Sequence, residues 1–97
     1  MRISATIRVI KEVMSGEHRL TGRPWRSRRL HISWNEPIEG QEYGREQFLI
    51  VRLRTEDVER FAAAGYKVGD TISGDLIFYP RQRGQGDFFD NDVVLML

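Results

Sequence analysis

TEDVERFAAAG, residues 55–65, is the one segment of this 97-residue chain whose apolar residues recur at a helical period. Thr55 is placed as an N-cap, Glu56 and Asp57 favour the positive end of a helix dipole, and Val58, Phe61 and Ala62 make an apolar face. Gly65 stands where so short a helix would end. The stretch predicts a helix over 55–64, and the segments on either side of it follow a different period.

Upstream lies a strand over 45–54. Leu49, Val51 and Leu53 form one row and Phe48, Ile50, Arg52 and Arg54 the other, so both faces carry apolar groups. That suits a central strand, and it equally suits an aromatic and basic pair, Phe48 with Arg52, on a binding face. Downstream, YKVGD (66–70) is a turn into a strand over 70–80, in which Ile72, Gly74, Leu76 and Phe78 share a face and Pro80 is the stop. RQRGQG (81–86) is a basic loop with glycines. A last strand over 87–97 places Phe89, Val93, Leu95 and Leu97 in one row.

The N-terminal half supplies two more strands. Ile3, Ala5, Ile7 and Val9 alternate with polar residues in a strand over 2–13, bent near Ile10 where the alternation fails. MSGEHRLTG (14–22) is a hairpin loop that carries Arg19. In GRPWRSRRLHISW (22–34), Leu30, Ile32 and Trp34 share one face, and Trp25, Arg29 and His31 share the other. Arg26 and Arg28 then have core-side parity, so they lie beyond the core's edge or a bulge intervenes. NEPIEGQEYG (35–44) is a connecting loop.

Length and composition set the outer bounds. One domain, 1–97, is expected, with one core and no deep catalytic cavity. With 40% hydrophobic and 30% charged residues the composition is that of an ordinary soluble globular protein. Cysteine is absent, which removes disulfides, thiolate nucleophiles and cysteine-based zinc sites. Arg8 interrupts any secretory signal core, and no apolar run reaches the ~20 residues of a membrane-spanning helix, so a cytoplasmic location is expected.

Five strands with one short helix between the third and fourth is the arrangement of an all-β, five-stranded Greek-key OB-fold barrel. An SH3-like barrel is the alternative, but it would not need a helix at that point. OB-folds bind ligands on the face of strands two and three, flanked by the loops between strands one and two and strands four and five. Those places hold Arg19; Trp25, Arg29, Phe48 and Arg52; and Arg81 with Arg83, and Arg23, Arg26 and Arg28 around Trp25 are counted with the candidate binding residues. The net charge is only +1, so this basicity is local.

Several motifs resemble the single-stranded-DNA-binding protein superfamily. They are Ser15-Gly16, then Thr21, Gly22, Pro24 and Trp25, then Phe61 followed by Val68-Gly69-Asp70, and the closing aromatic strand. The likeness covers nearly the whole chain and extends to short bacterial proteins of unknown function with a G-K-x-W segment and a VGD turn, where this chain has Arg23 for the lysine. It implies binding of single-stranded nucleic acid, DNA before RNA, by arginine–phosphate contacts and base stacking, without catalysis, in a protein that assembles as a dimer or tetramer. The acidic, phenylalanine-ended recruitment tail of bacterial single-strand binders is not seen, so partner recruitment through such a tail is not expected. The alternative is an OB-fold interaction or assembly module, with Phe48, Ile50, Phe88 and Met96 in an oligomer interface.

Other chemistry finds little support. His18 and His31 lack companions at metal-ligand spacing and are placed on the ordinary surface. Asp87, Asp90 and Asp92 do not match a calcium loop and are read as strand-edge charges. No nucleophile, base and acid set and no phosphate loop is recognisable, so neither an enzyme, a metal nor a cofactor is expected.

Overall fold

The structure, a computed structural model, describes residues 1–82 and 89–97, with residues 81, 82 and 89–91 described by backbone alone. Its elements in chain order are β1 (Arg2–Glu17), β2 (Pro24–Glu36), β3 (Arg45–Leu53), α1 (Thr55–Ala64), β4 (Thr71–Gln82) and β5 (Phe89–Met96). The strands close into a barrel in the order β1-β2-β3-β5-β4. With the helix between β3 and β4, this is an OB-fold.

Closure depends on β1 serving two partners. Its first residues pair with β4, from Arg2 opposite Asp75 to Thr6 opposite Thr71, and the rest pairs with β2 as far as Glu17 opposite Pro24. Register shifts between Ile7 and Val9 and between Ile10 and Val13 each put an extra residue into β1, bending and twisting it. The VGD turn locks the first bend: the Gly69 N–H donates to the Ile7 carbonyl (2.8 Å), and the Ile7 N–H donates to the Asp70 carbonyl (2.9 Å). The Asp70 carboxylate in turn accepts from the Lys67 N–H at 2.9 Å.

β1 runs four residues past the predicted end at 13, and Gly16 explains why. It is not a loop glycine but lies opposite Trp25, whose indole covers it. A Cβ at Gly16 would stand 2.7 Å from Cζ2 of that ring, a distance only a missing side chain permits. The predicted loop over 14–22 accordingly shrinks, and β2 starts at Pro24.

The helix spans the predicted residues with different end chemistry. Arg54 is the N-cap and offers no side-chain capping bond. The Thr55 hydroxyl instead ties the helix to β2, accepting from the Arg26 N–H (3.0 Å) and donating to the Arg26 carbonyl (3.1 Å). Gly65 ends the helix in the left-handed conformation. Ala62, predicted to face the core, is exposed, and Asp57 is buried beside Val58 and Phe61. Arg54 Nε meets that carboxylate at 3.1 Å and Arg60 Nη1 at 3.5 Å, so the buried charge is compensated.

The core consists of inward rows from every strand, including Ile7, Leu30, Ile32, Val51, Leu53, Ile72 and Leu95, joined by Val58 and Phe61 of the helix. Trp34 and Leu97 pack against it half-buried, on the predicted rows. β4 departs from its sequence pattern at two places. The predicted stop at Pro80 does not hold, since the strand reaches Gln82, and Phe78 is 47% exposed although it shares the row of buried Ile72 and Leu76. Beyond Leu76, whose N–H donates to the Met1 carbonyl (2.7 Å), β4 is paired among the described residues with β5 alone. One edge is therefore free of ladder bonds, where a proline without an N–H is tolerated, and the barrel no longer covers the inward row.

Candidate nucleic-acid interface

Residues directly opposite each other on neighbouring strands share a face, so the ladder maps the outer surface. Trp25 lies opposite Gly16, Met14 opposite Ser27, Arg29 opposite Arg52, His31 between Val9 and Ile50, and Ser33 opposite Phe48. β2 keeps an unbroken register with β3 from Arg28 to Glu36. The predicted grouping of Trp25, Arg29, Phe48 and Arg52 on one face of the sheet is what this register produces.

The face is concave because the barrel closes over only part of its length. Among the described residues β3 meets β5 at the single pair Arg52 and Val94, so the early part of β3 diverges from the β4–β5 hairpin. The radius of gyration, 15.6 Å, accordingly exceeds the ~13 Å of a compact domain of this size. Between the diverging parts lies a groove of about 1050 Å³, walled by Met14, Arg29, His31, Phe48, Ile50 and Phe78 among others. The space a core of this size cannot enclose is made instead between projecting hairpins.

Charge in the groove is divided unevenly. Arg52 is held by Asp92 of β5 through Nη2 at 2.9 Å and Nε at 3.2 Å, with both side chains largely covered. Asp92 is thus an ion-pair partner rather than the predicted strand-edge charge. Arg29 is exposed and, among the described residues, has no ion-pair partner. Lys11 adds a second cation to the wall. On the same outer surface, Arg8 donates from Nε to Ser33 Oγ (2.7 Å) and pairs through Nη2 with Glu46 (2.7 Å). That exposed bridge is worth about 1 kcal/mol or less. Phe48, at 67% exposure, is the largest open aromatic surface on the groove.

The remaining predicted residues sit elsewhere. Trp25 shares the outer face but is half-buried over Gly16, about 13 Å along the strand from Arg29, and does not wall the groove. Arg26 and Arg28 have the opposite parity, and no bulge in β2 intervenes. They lie beyond the core's edge instead, Arg28 over the Phe61 ring at 5.5 Å with Nε donating to the Lys11 carbonyl (2.7 Å). Arg19 and Arg23 are exposed in the β1–β2 turn, which closes through the His18 N–H donating to the Arg23 carbonyl (2.9 Å). The side chain of Arg81, all of Arg83, and Phe88 and Asp87 lie outside the described residues.

Several groove residues escaped the sequence reading. His31 had the right parity but no reason to be singled out, and Ile50 was named only for an oligomer interface. Phe78 had core parity. Lys11 and Met14 lie at or past the second register shift, where alternation carries no information.

The molecule is an OB-fold, a class defined by its closed five-stranded barrel and the helix between β3 and β4. Among solved structures it is similar to a small single-stranded DNA-binding protein from Streptomyces coelicolor, with 18% identity over 99% of this chain and 87% of that one and a TM-score of 0.51. At that identity the likeness concerns the fold. No protein-family model matches the chain, and no curated protein matches it in sequence.

Proposed function

We propose that this protein binds single-stranded nucleic acid, DNA in the first place, without catalysis, along the groove on the β2–β3 face. The observation that carries the reading is the juxtaposition of exposed Arg29 and exposed Phe48 on the face where OB-folds bind their ligands. Arg29 and Lys11 neutralise phosphates in the groove, with Arg19 and Arg23 extending the positive surface onto the hairpin turn. Phe48 and Phe78 offer ring faces on which bases stack, at about 1–3 kcal/mol per base. Trp25 is a secondary stacking surface, since Gly16 already covers part of it. The fold of the Streptomyces coelicolor protein supports the reading at the level of architecture.

The test is fluorescence anisotropy of a labelled oligo-dT at several salt concentrations. Neutralising about four phosphates predicts a slope of log affinity against log salt near −3. A slope near zero, or equal affinity for duplex and single strand, overturns the proposal.

A second reading rests on the exposure of Phe48 (67%) and Ile50 (55%), which an oligomer interface would cover. Under it the protein is a cytoplasmic assembly module, and Phe48→Ser converts dimers or tetramers to monomers in sedimentation experiments without any nucleic acid present. Among the described residues no helix is long and apolar enough to cross a membrane.

A further inference from the structure

Arg29 and Arg52 stand directly opposite each other on β2 and β3, a placement that like charges disfavour. The two differ in their surroundings. Arg29 is exposed, whereas the Nε and Nη2 edge of Arg52 is occupied by both oxygens of Asp92. The pair carries no net charge, and a phosphate approaching Arg52 would meet the carboxylate as well. Arg52 lines the groove, and the Asp92 contact leaves the end-on pair of Nη1 and Nη2, two parallel N–H donors, with no other partner among the described residues.

We propose that Arg52, pinned by Asp92, reads a base rather than a phosphate. The groove therefore prefers single strands carrying a base with two adjacent acceptors. The inference rests on the single-strand reading above and adds to it a sequence preference that phosphate contacts and stacking do not supply. A neutral base edge is not repelled by Asp92, and a pair of parallel donors matches a pair of adjacent acceptors. Guanine offers O6 and N7, the pairing arginine uses most often. Cytosine offers O2 and N3 on the Watson–Crick edge, which is open in a single strand. Thymine separates its carbonyls by an N–H, and adenine sets its amino group between its acceptors, so neither satisfies the fork. Arg29 and Lys11 keep the phosphate role.

The experiment compares oligo-dT with oligo-dT carrying dG, dC or dA at single positions, by competition anisotropy with the full chain. A dG or dC strand is expected to bind roughly tenfold more tightly than oligo-dT, the lower part of what a bidentate arginine–base pair discriminates. The dA strand is expected to match oligo-dT. Free GMP at the same base concentration leaves the strand bound, because it lacks the neighbouring backbone contacts.

Asp92→Asn releases the guanidinium and its charge. Oligo-dT affinity then rises, the salt slope steepens by about 0.7, and the preference falls towards parity. Arg52→Lys, which keeps the charge and loses the fork, abolishes the preference and serves as the second variant should Asp92→Asn fold poorly. Equal binding of all four strands by the wild type, preference for dA, displacement by GMP, or an unchanged preference in Arg52→Lys each overturns the proposal while oligo-dT binding stands. Failure to bind any strand sinks the single-strand reading itself.

Discussion

Replacing Trp25 with alanine removes an indole that lies over Gly16 and is half-buried, so the change uncovers apolar surface on both hairpin strands. A tryptophan buries ~150 Å² or more in such a position. At ~25 cal/mol per Å² that is nearly ~4 kcal/mol, and a denatured chain already partly collapsed lowers it to about 2–3 kcal/mol. For a domain of this length about 1 kcal/mol moves Tm by ~4–8 °C. Trp25→Ala is therefore expected to lower Tm by roughly 10–20 °C. Circular dichroism melting of the wild type and Trp25→Ala measures it, and binding to oligo-dT is then compared well below both midpoints. Gly16→Ala is the companion variant, because its Cβ would enter the same space 2.7 Å from the ring and must displace it. A Tm change of under about 3 °C in Trp25→Ala would show that the indole is not packed on Gly16, and the structural account of the β1–β2 hairpin would fail. A large Tm drop with unchanged oligo-dT affinity would confine Trp25 to a structural role.

Two further variants separate binding from stability. Phe48→Ala, at a side chain 67% exposed, should leave stability within about 0.5 kcal/mol. It should also weaken oligo-dT binding by roughly 5- to 150-fold through the lost stacking surface, as read by anisotropy. Asp57→Ala leaves Arg54 and Arg60 without their shared buried carboxylate and should cost about 2 kcal/mol in urea unfolding, with binding at the groove intact.

The face of each strand and the position of the helix were legible in the sequence because both depend on short-range periods. A strand's side chains alternate whatever it pairs with, so Leu30 and Ile32 could be assigned inward and Arg29 outward before any partner was known. The apolar spacing of Val58 and Phe61, followed by Gly65, located the helix in the same way, and the helix placed among five strands implied the barrel. The same parity put Arg29, Phe48 and Arg52 on one surface.

How far along each strand the barrel stays closed was not legible, since it is set by pairings between distant segments. Phe78 carries the parity of Leu76 two residues earlier, yet Leu76 is 3% and Phe78 47% exposed. Nothing within β4 signals the change, because it is set by β1, whose ladder with β4 extends only to Arg2 opposite Asp75 and the Met1–Leu76 bond. The pairing of Arg52 with Asp92, forty residues away, and the seating of Trp25 on Gly16 across the hairpin are likewise products of register. The alternation of a chain states which side a residue faces. Only the closing of distant strands on one another settles whether that side is core, groove or solvent, because burial and charge compensation depend on what the rest of the chain brings opposite.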